Sequence, residues 1–201
     1  ADRATIFVVD DDASMRRSLA RLLQSVGYRV YAFGKASELL DELPWYGASC
    51  AVLDIRLPLM NGLELQRELR RRECSMPVIF ITGHGDIPMS VQAMKDGAVD
   101  FLPKPFEAQQ LLDAIEQALR LDGEQRQAEE ELSEYRCCLE RLTPRECDVF
   151  ELVVTGLSNR QIAADLGLSE KTVKIHRGRV MQKMAVDSLA ELVHAAELLG
   201  I

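Results

Sequence analysis

The sequence predicts an α/β unit over residues 1–120, with a five-stranded parallel sheet covered by helices on both faces. A helical linker follows over 121–141, then an all-α four-helix unit over 142–201. Three observations carry this. The first part alternates short apolar runs with amphipathic helical stretches, as parallel strands joined by crossover helices must. The middle part is polar and rich in helix formers. The last part shows four helix-start signatures in succession. A length of 201 residues suits two domains, since one domain holds ~100–200.

Residues 5–9, 28–33, 50–53, 78–82 and 101–102 read as strands. The first, third and fourth are apolar throughout, as strands covered on both faces are. Helical patterns lie between them at roughly 14–26, 36–43, 62–72, 87–96 and 107–120, punctuated by Gly27, Gly47, Gly62 and Gly97. In the linker, Ala128, Leu132, Tyr135 and Leu139 form a narrow apolar seam at helical spacing. It fits a solvated helix or a short coiled-coil contact between two copies. The pattern fits a helix continuous through Gly123 or one hinged beside it. Thr143-Pro144-Arg145-Glu146 joins an N-cap, a proline at the first helical position and a capping-box glutamate. Ser158 with Gln161, Ser169, and Ser188 with Glu191 start three further helices.

The composition, 47% hydrophobic and 28% charged, excludes a mainly disordered chain, because enough apolar surface exists to offset chain entropy. No apolar run approaches the ~18 residues of a membrane span, and the run at 6–9 is too short for a signal-peptide core. Five cysteines without C-x-x-C spacing argue against a disulfide framework or zinc site and lead us to expect a reducing cytoplasm.

A net charge of -8 argues against nucleic-acid binding until it is divided. Residues 1–120 carry 14 basic and 17 acidic side chains, 121–141 carry 3 and 7, and 142–201 carry 7 and 8. Within the last part, Lys171, Lys174, Arg177, Arg179 and Lys183 follow one another with no acid between them. Positive potential is therefore concentrated on one stretch.

In a parallel α/β sheet, function sits at the carboxyl ends of the strands. Here Asp10, Asp11 and Asp12 follow the first strand, Asp54 ends the third, Thr82 the fourth, and Lys104 follows the fifth. Clustered carboxylates repel, so a hard oxygen-seeking cation such as Mg²⁺ suits them. The metal and Lys104 would offset the charge of an incoming phosphoryl group, Thr82 would donate a hydrogen bond, and Asp54 would be the nucleophile. Three aspartates after the first strand disfavour a nucleotide or flavin cradle, and no glycine-rich phosphate motif occurs.

These stretches resemble the receiver domain of two-component response regulators. They are Val8-Val9-Asp10-Asp11-Asp12, Val52-Leu53-Asp54-Ile55-Arg56-Leu57-Pro58, Met60-Asn61-Gly62, Ile81-Thr82-Gly83-His84-Gly85-Asp86 and Phe101-Leu102-Pro103-Lys104-Pro105-Phe106. The resemblance implies a flavodoxin-like (βα)5 fold and assigns roles. Asp54 would be the phosphoacceptor. Asp10, Asp11, Asp54 and the backbone carbonyl of Arg56 would hold Mg²⁺, Asp10 through a water. Lys104, before a cis peptide to Pro105, would bind a phosphoryl oxygen. Thr82 and Phe101 would form the switch pair. The side chains of Arg56 and His84 would flank the attacking water, and Asp12 would be solvated.

Residues 159–166 and 170–184, joined through Gly167-Leu168-Ser169, have helix-turn-helix form. Ile162, Ala163 and Leu166 would line the inner face of the first helix, and Val173, Val180, Met181 and Met184 that of the second. Lys174, Arg177, Arg179 and Lys183 would project outward. Together with Leu142-Thr143-Pro144-Arg145-Glu146 and Thr172-Val173-Lys174-Ile175-His176-Arg177, this resembles the LuxR-type output domain, placing the chain nearest the FixJ-like branch of the NarL/LuxR class. The expected base-facing positions are Lys174, Ile175 and Gly178. Lys171, Thr172, Arg177 and Arg179 are expected at the DNA surface, chiefly on phosphates. His176 would contact phosphate or pack.

The resemblance implies a transcriptional regulator phosphorylated by a sensor histidine kinase, which then binds promoter DNA as a homodimer. The dimer face would be Met89 to Lys95 with Asp100 and Phe101. RNA polymerase is a further candidate partner, and no membrane is implicated. Such a protein is not an enzyme beyond accepting and slowly losing its own phosphoryl group. Two other readings stand beside it: a metal-dependent aspartyl phosphotransferase or phosphatase, and a DNA-binding protein whose receiver responds to protein contact rather than phosphate.

Overall fold

Thr5–Val9 (β1), Ser49–Asp54 (β3) and Val78–Thr82 (β4) are buried at every position, whereas Arg29–Phe33 (β2) keeps much of its length exposed. The sheet explains this. Its order is β2-β1-β3-β4-β5, with β5 spanning Asp100–Pro103 and every pairing parallel. The apolar strands are the three central ones. The computed structural model describes residues 3–83 and 87–201. It forms two compact units whose boundary in sequence falls between Gln125 and Arg126.

Strand alternation sorts the first unit's core into two layers. Ile6, Val8, Cys50, Val52, Ile79 and Ile81 point to one face. They pack against Leu19 and Leu23 of α1 (Ala13–Ser25) and Leu111, Ala114, Ile115 and Ala118 of α5 (Ala108–Glu140). Phe7, Val9, Ala51, Leu53, Val78 and Phe80 point to the other. There they meet α2 (Ala36–Asp41), α3 (Gly62–Arg71) and Ala93 of α4 (Ile87–Lys95).

The fifth helix differs from the expected end near residue 120. It runs unbroken to Glu140. Gly123 does not interrupt it: a Cβ there would meet nothing within 4 Å, so glycine costs only its propensity, ~1 kcal/mol. One residue of the polar run is buried. Asp122, 4% exposed, accepts a hydrogen bond from the amide of Ser49 at 3.2 Å, at the start of β3. Part of the seam is covered from within the chain. Tyr135 and Leu139, with Cys138, pack on the core of the second unit, while Ala128 is exposed.

In that unit all four start signals form caps. Thr143, Ser158, Ser169 and Ser188 accept from the backbone at Glu146, Gln161, Thr172 and Glu191, opening α6 (Pro144–Val154), α7 (Asn159–Leu166), α8 (Glu170–Lys183) and α9 (Leu189–Leu199). Gly167, at φ 66°, turns α7 into α8 in a left-handed conformation that glycine adopts without steric cost. Val149, Phe150, Ile162, Val173, Val180, Met184 and Leu192 form the fully buried centre.

Candidate phosphoacceptor and DNA-reading sites

Asp10 and Asp54 lie at the carboxyl ends of the adjacent strands β1 and β3, which brings their side chains together at one rim of the sheet. Asp10 is fully buried and Asp54 is 7% exposed. Burying two carboxylates side by side requires compensation, and Lys104 supplies it. Its Nζ donates to Oδ2 of Asp10 at 2.7 Å and to Oδ2 of Asp54 at 2.6 Å. Burial works against the ammonium, but these hydrogen bonds and the two negative charges outweigh it, and the Lys104 pKa is raised. The peptide between Lys104 and Pro105 is cis, and the amide of Lys104 donates to the carbonyl of Thr82 at 2.7 Å.

The remaining oxygens are also held. Oδ1 of Asp54 accepts from the amide of Arg56 at 2.9 Å, and Oδ1 of Asp10 from the amide of Asp12 at 2.8 Å. Asp11 is exposed, and each of Asp10, Asp11 and Asp54 offers an oxygen within 4.8 Å of the others. Three carboxylates share one ammonium, so the cluster carries excess negative charge. Its all-oxygen donor set fits Mg²⁺ better than a soft metal.

Thr82, at the end of β4, is 1% exposed. Phe101 lies in register with Phe80 and packs half-buried against the layer holding α2, α3 and α4. Thr82 thus stands at the rim, with Phe101 two residues deeper on the neighbouring strand. His84, expected beside the attacking water, lies outside the described residues.

Three contributors escaped the sequence reading. Asp12 is not simply solvated: its Oδ1 caps α1, accepting from the amides of Ser14 and Met15 at 2.7 and 3.2 Å. Arg16, one turn into that helix, donates to the carbonyls of Asp10 and Asp11 at 2.6 and 3.0 Å and so fixes the acidic loop. Gly62 opens α3 directly beneath β3, where a Cβ would stand 2.5 Å from the carbonyl oxygen of Asp54. An aspartate before a helical pattern is a cap signal that was available; the other two depend on tertiary approach.

Residues 6–116 match the response regulator receiver domain, and residues 140–196 match the LuxR family of bacterial regulatory proteins. The chain belongs to the response regulators. Nodulation protein W of Bradyrhizobium diazoefficiens is 54% identical over 199 residues, covering 99% of this chain and 88% of that protein. The transcriptional regulatory protein FixJ of the same organism is 42% identical over 196 residues, covering 98% and 96%. Among solved structures, the response regulator StyR superposes with a TM-score of 0.85 at 51% identity, covering 98% of this chain and 99% of that one. Full-length FixJ from B. japonicum gives 0.61 at 41% identity, covering 100% and 98%.

The regulator therefore joins a receiver to a LuxR-type DNA-binding domain, which implies a histidine kinase upstream and promoter DNA downstream. Among the described residues, no helix is long and apolar enough to cross a membrane. On α8, Lys171, Lys174, Gly178 and Arg179 are exposed, and Ile175 is 49% exposed. No internal packing requires Gly178, since a Cβ there would meet nothing within 4 Å. Thr172 is half-buried and shares its hydroxyl with Ser169 at 2.8 Å. Arg177 is half-buried, with Nη1 donating to Oδ1 of Asn159 at 3.0 Å. The ring of His176 packs on one side, its Nδ1 enclosed without a hydrogen-bond partner.

Lys183 departs from the outward orientation expected of it. Its Nζ is 2.6 Å from Oε2 of Glu146, a residue 2% exposed, and 3.0 Å from the carbonyl of Arg141. The buried capping-box carboxylate needs a counter-charge, and the last turn of α8 provides it.

Proposed function

We propose that the regulator accepts a phosphoryl group on Asp54 from a sensor histidine kinase and thereby controls promoter binding by α8. The observation that carries this reading is the ammonium of Lys104 held between Asp10 and Asp54. It turns one oxygen of a nearly buried carboxylate toward the cationic centre of the rim.

Asp10, Asp11, Asp54 and the carbonyl of Arg56 would hold Mg²⁺. Bound there, the ion supplies charge neutralisation for the incoming phosphoryl oxygens. An oxygen of Asp54 attacks phosphorus; the P–O bond forms as the P–N bond to the kinase imidazole breaks. The bond's electron pair stays on that nitrogen. Lys104, freed from one carboxylate oxygen as Asp54 becomes an acyl phosphate, pairs with a phosphoryl oxygen instead. The hydroxyl of Thr82 then turns to the phosphoryl group, and Phe101 follows inward into the vacated space. Acceptance is stoichiometric, with slow self-dephosphorylation and no sustained turnover, so the chain is not an enzyme in the ordinary sense.

The output follows from populations: phosphorylation acts by favouring one conformer over another. Met89 to Lys95 with Asp100 and Phe101 would form the homodimer face, and Val91 and Met94, each 46% exposed, support that reading. Two copies would place two α8 helices on a pseudo-palindromic site. Lys174, Ile175 and Gly178 face bases, with Lys171, Thr172, Arg177 and Arg179 on or near phosphates. Ile175 suits a thymine methyl. The setting is the cytoplasm, with RNA polymerase a further contact at the promoter.

Incubation with acetyl phosphate and Mg²⁺ should add one phosphoryl group per chain, lost in Asp54→Asn. Undiminished labelling of that variant would overturn the assignment, and sustained turnover of the donor would favour a phosphotransferase instead.

A further inference from the structure

One side-chain bond joins α7 to α8 beside the face that α8 offers to DNA. Arg177 leaves α8 one turn from Val173 and one turn from Val180, both fully buried. Its stem therefore lies along the edge of the core-facing stripe, and the residue is half-buried. Its Nη1 donates to Oδ1 of Asn159 at 3.0 Å. A guanidinium only donates, so the amide atom that faces it is the oxygen.

The acceptor stands on a fixed frame. Asn159 is the first residue of α7, directly after the cap. The amide of Ser158 donates to Oε1 of Gln161 at 2.9 Å, and the amide of Gln161 donates to Oγ of Ser158 at 3.4 Å. This reciprocal box fixes the backbone on which Asn159 sits. The acceptor is also neutral. Among the described residues, the one ion pair made by α8 is that of Lys183 with Glu146. Lys183 is thereby neutralised, whereas Arg177 keeps its charge. One guanidinium N–H group is engaged by Asn159, and the others remain for a further acceptor. Such an arrangement orients a cation without neutralising it.

We propose that Asn159 is a positioning residue for DNA binding. Its amide oxygen holds the guanidinium of Arg177 at the junction of the two helices, and the remaining N–H groups meet a backbone phosphate flanking the groove that α8 enters. A free arginine loses rotamer freedom when it is fixed on DNA; one already held loses less. The bond also ties the phosphate contact to α7. The helix pair, rather than α8 alone, then sets how the recognition helix lies on the backbone. The inference rests on Arg177 as a phosphate contact of α8.

The test is a double-mutant cycle on the full-length chain treated with acetyl phosphate and Mg²⁺. Fluorescence anisotropy follows binding to a DNA site selected from a random pool and to random-sequence DNA, each over a series of salt concentrations. Arg177→Ala should weaken binding to both DNAs and lower the salt slope by about 1. Asn159→Ala should weaken both by about three- to tenfold while Arg177 is present. In the Arg177→Ala background the same change should cost less than about twofold. Asn159→Asp keeps an acceptor of the same shape but pairs the guanidinium with a carboxylate, so it should lower the salt slope by about 1, as Arg177→Ala does. Thermal midpoints taken alongside show that each variant is folded at the working temperature. Equal losses from Asn159→Ala in both backgrounds, or an unchanged salt slope in Asn159→Asp, would overturn the positioning role. Unchanged affinity and slope in Arg177→Ala would instead remove the phosphate contact on which it stands, and the proposal with it.

Discussion

The ammonium of Lys104 lies 2.6 Å from Oδ2 of Asp54, across a span of 50 residues in sequence. The same nitrogen holds Asp10 at 2.7 Å. One cation therefore serves two buried acids, and its loss leaves both uncompensated.

Lys104→Met consequently has two expected effects. Labelling of Asp54 by acetyl phosphate should fall by roughly a hundredfold or more, since removing one well-placed donor to a developing oxyanion costs roughly 2.7–4 kcal/mol. Half-saturating Mg²⁺ should fall, because the three carboxylates would then lack their internal competitor. Labelling kinetics across a Mg²⁺ titration check both.

Gly62→Ala should disturb the acceptor without touching its carboxylate. The new methyl would press on the carbonyl of Asp54 at 2.5 Å and on Phe80 at 3.0 Å. We expect a destabilisation of about 1–3 kcal/mol and slower labelling. Urea unfolding followed by fluorescence of Trp45, the chain's single tryptophan, reports on the first unit.

The second unit should lose stability in acid. Glu146 has its pKa lowered to about 2 from 4.5, first by the hydrogen bond from Lys183 and then by the capping bond from Thr143. A carboxyl whose folded pKa is depressed stabilises the fold above its unfolded pKa, and that contribution is lost as pH falls through the folded value. The window is thus from about 4.5 down to about 2. Glu146→Gln should remove this dependence and cost on the order of 2 kcal/mol at neutral pH. Far-UV circular dichroism against pH, read beside Trp45 fluorescence, separates the second unit from the first.

The cations of α8 should divide into three kinds. Lys171→Ala should weaken binding to all sequences alike and reduce the salt slope by about 1. Lys174→Ala should weaken specific binding more than non-specific binding, by roughly 1–3 kcal/mol. Lys183→Ala should leave the salt slope unchanged while lowering stability, because its charge is spent on Glu146. Binding isotherms at several salt concentrations distinguish the three.

Much of this was legible in the sequence. Continuous apolar runs marked β1, β3 and β4, and the caps at Thr143, Ser158, Ser169 and Ser188 marked four helix starts because local chemistry decides both. The convergence of Asp10, Asp54, Thr82 and Lys104 was legible too, since in a parallel sheet strand ends share one rim. What escaped depends on groups meeting from afar. The bond from the Ser49 amide to Asp122, the turn of Lys183 back to Glu146, and the pressure on Gly62 join residues with no common pattern. The linker seam was only partly legible for the same reason: its spacing shows one apolar face but not that Tyr135 and Leu139 are covered by the core of the second unit.

Phosphorylation-controlled DNA binding is tested most directly by one comparison: affinity for a DNA site selected from a random pool, measured before and after phosphodonor, in wild type and in Asp54→Asn. Binding should tighten and the mass double after phosphorylation of the wild type, with neither change in the variant. Equal affinities in all four conditions would contradict phosphorylation control.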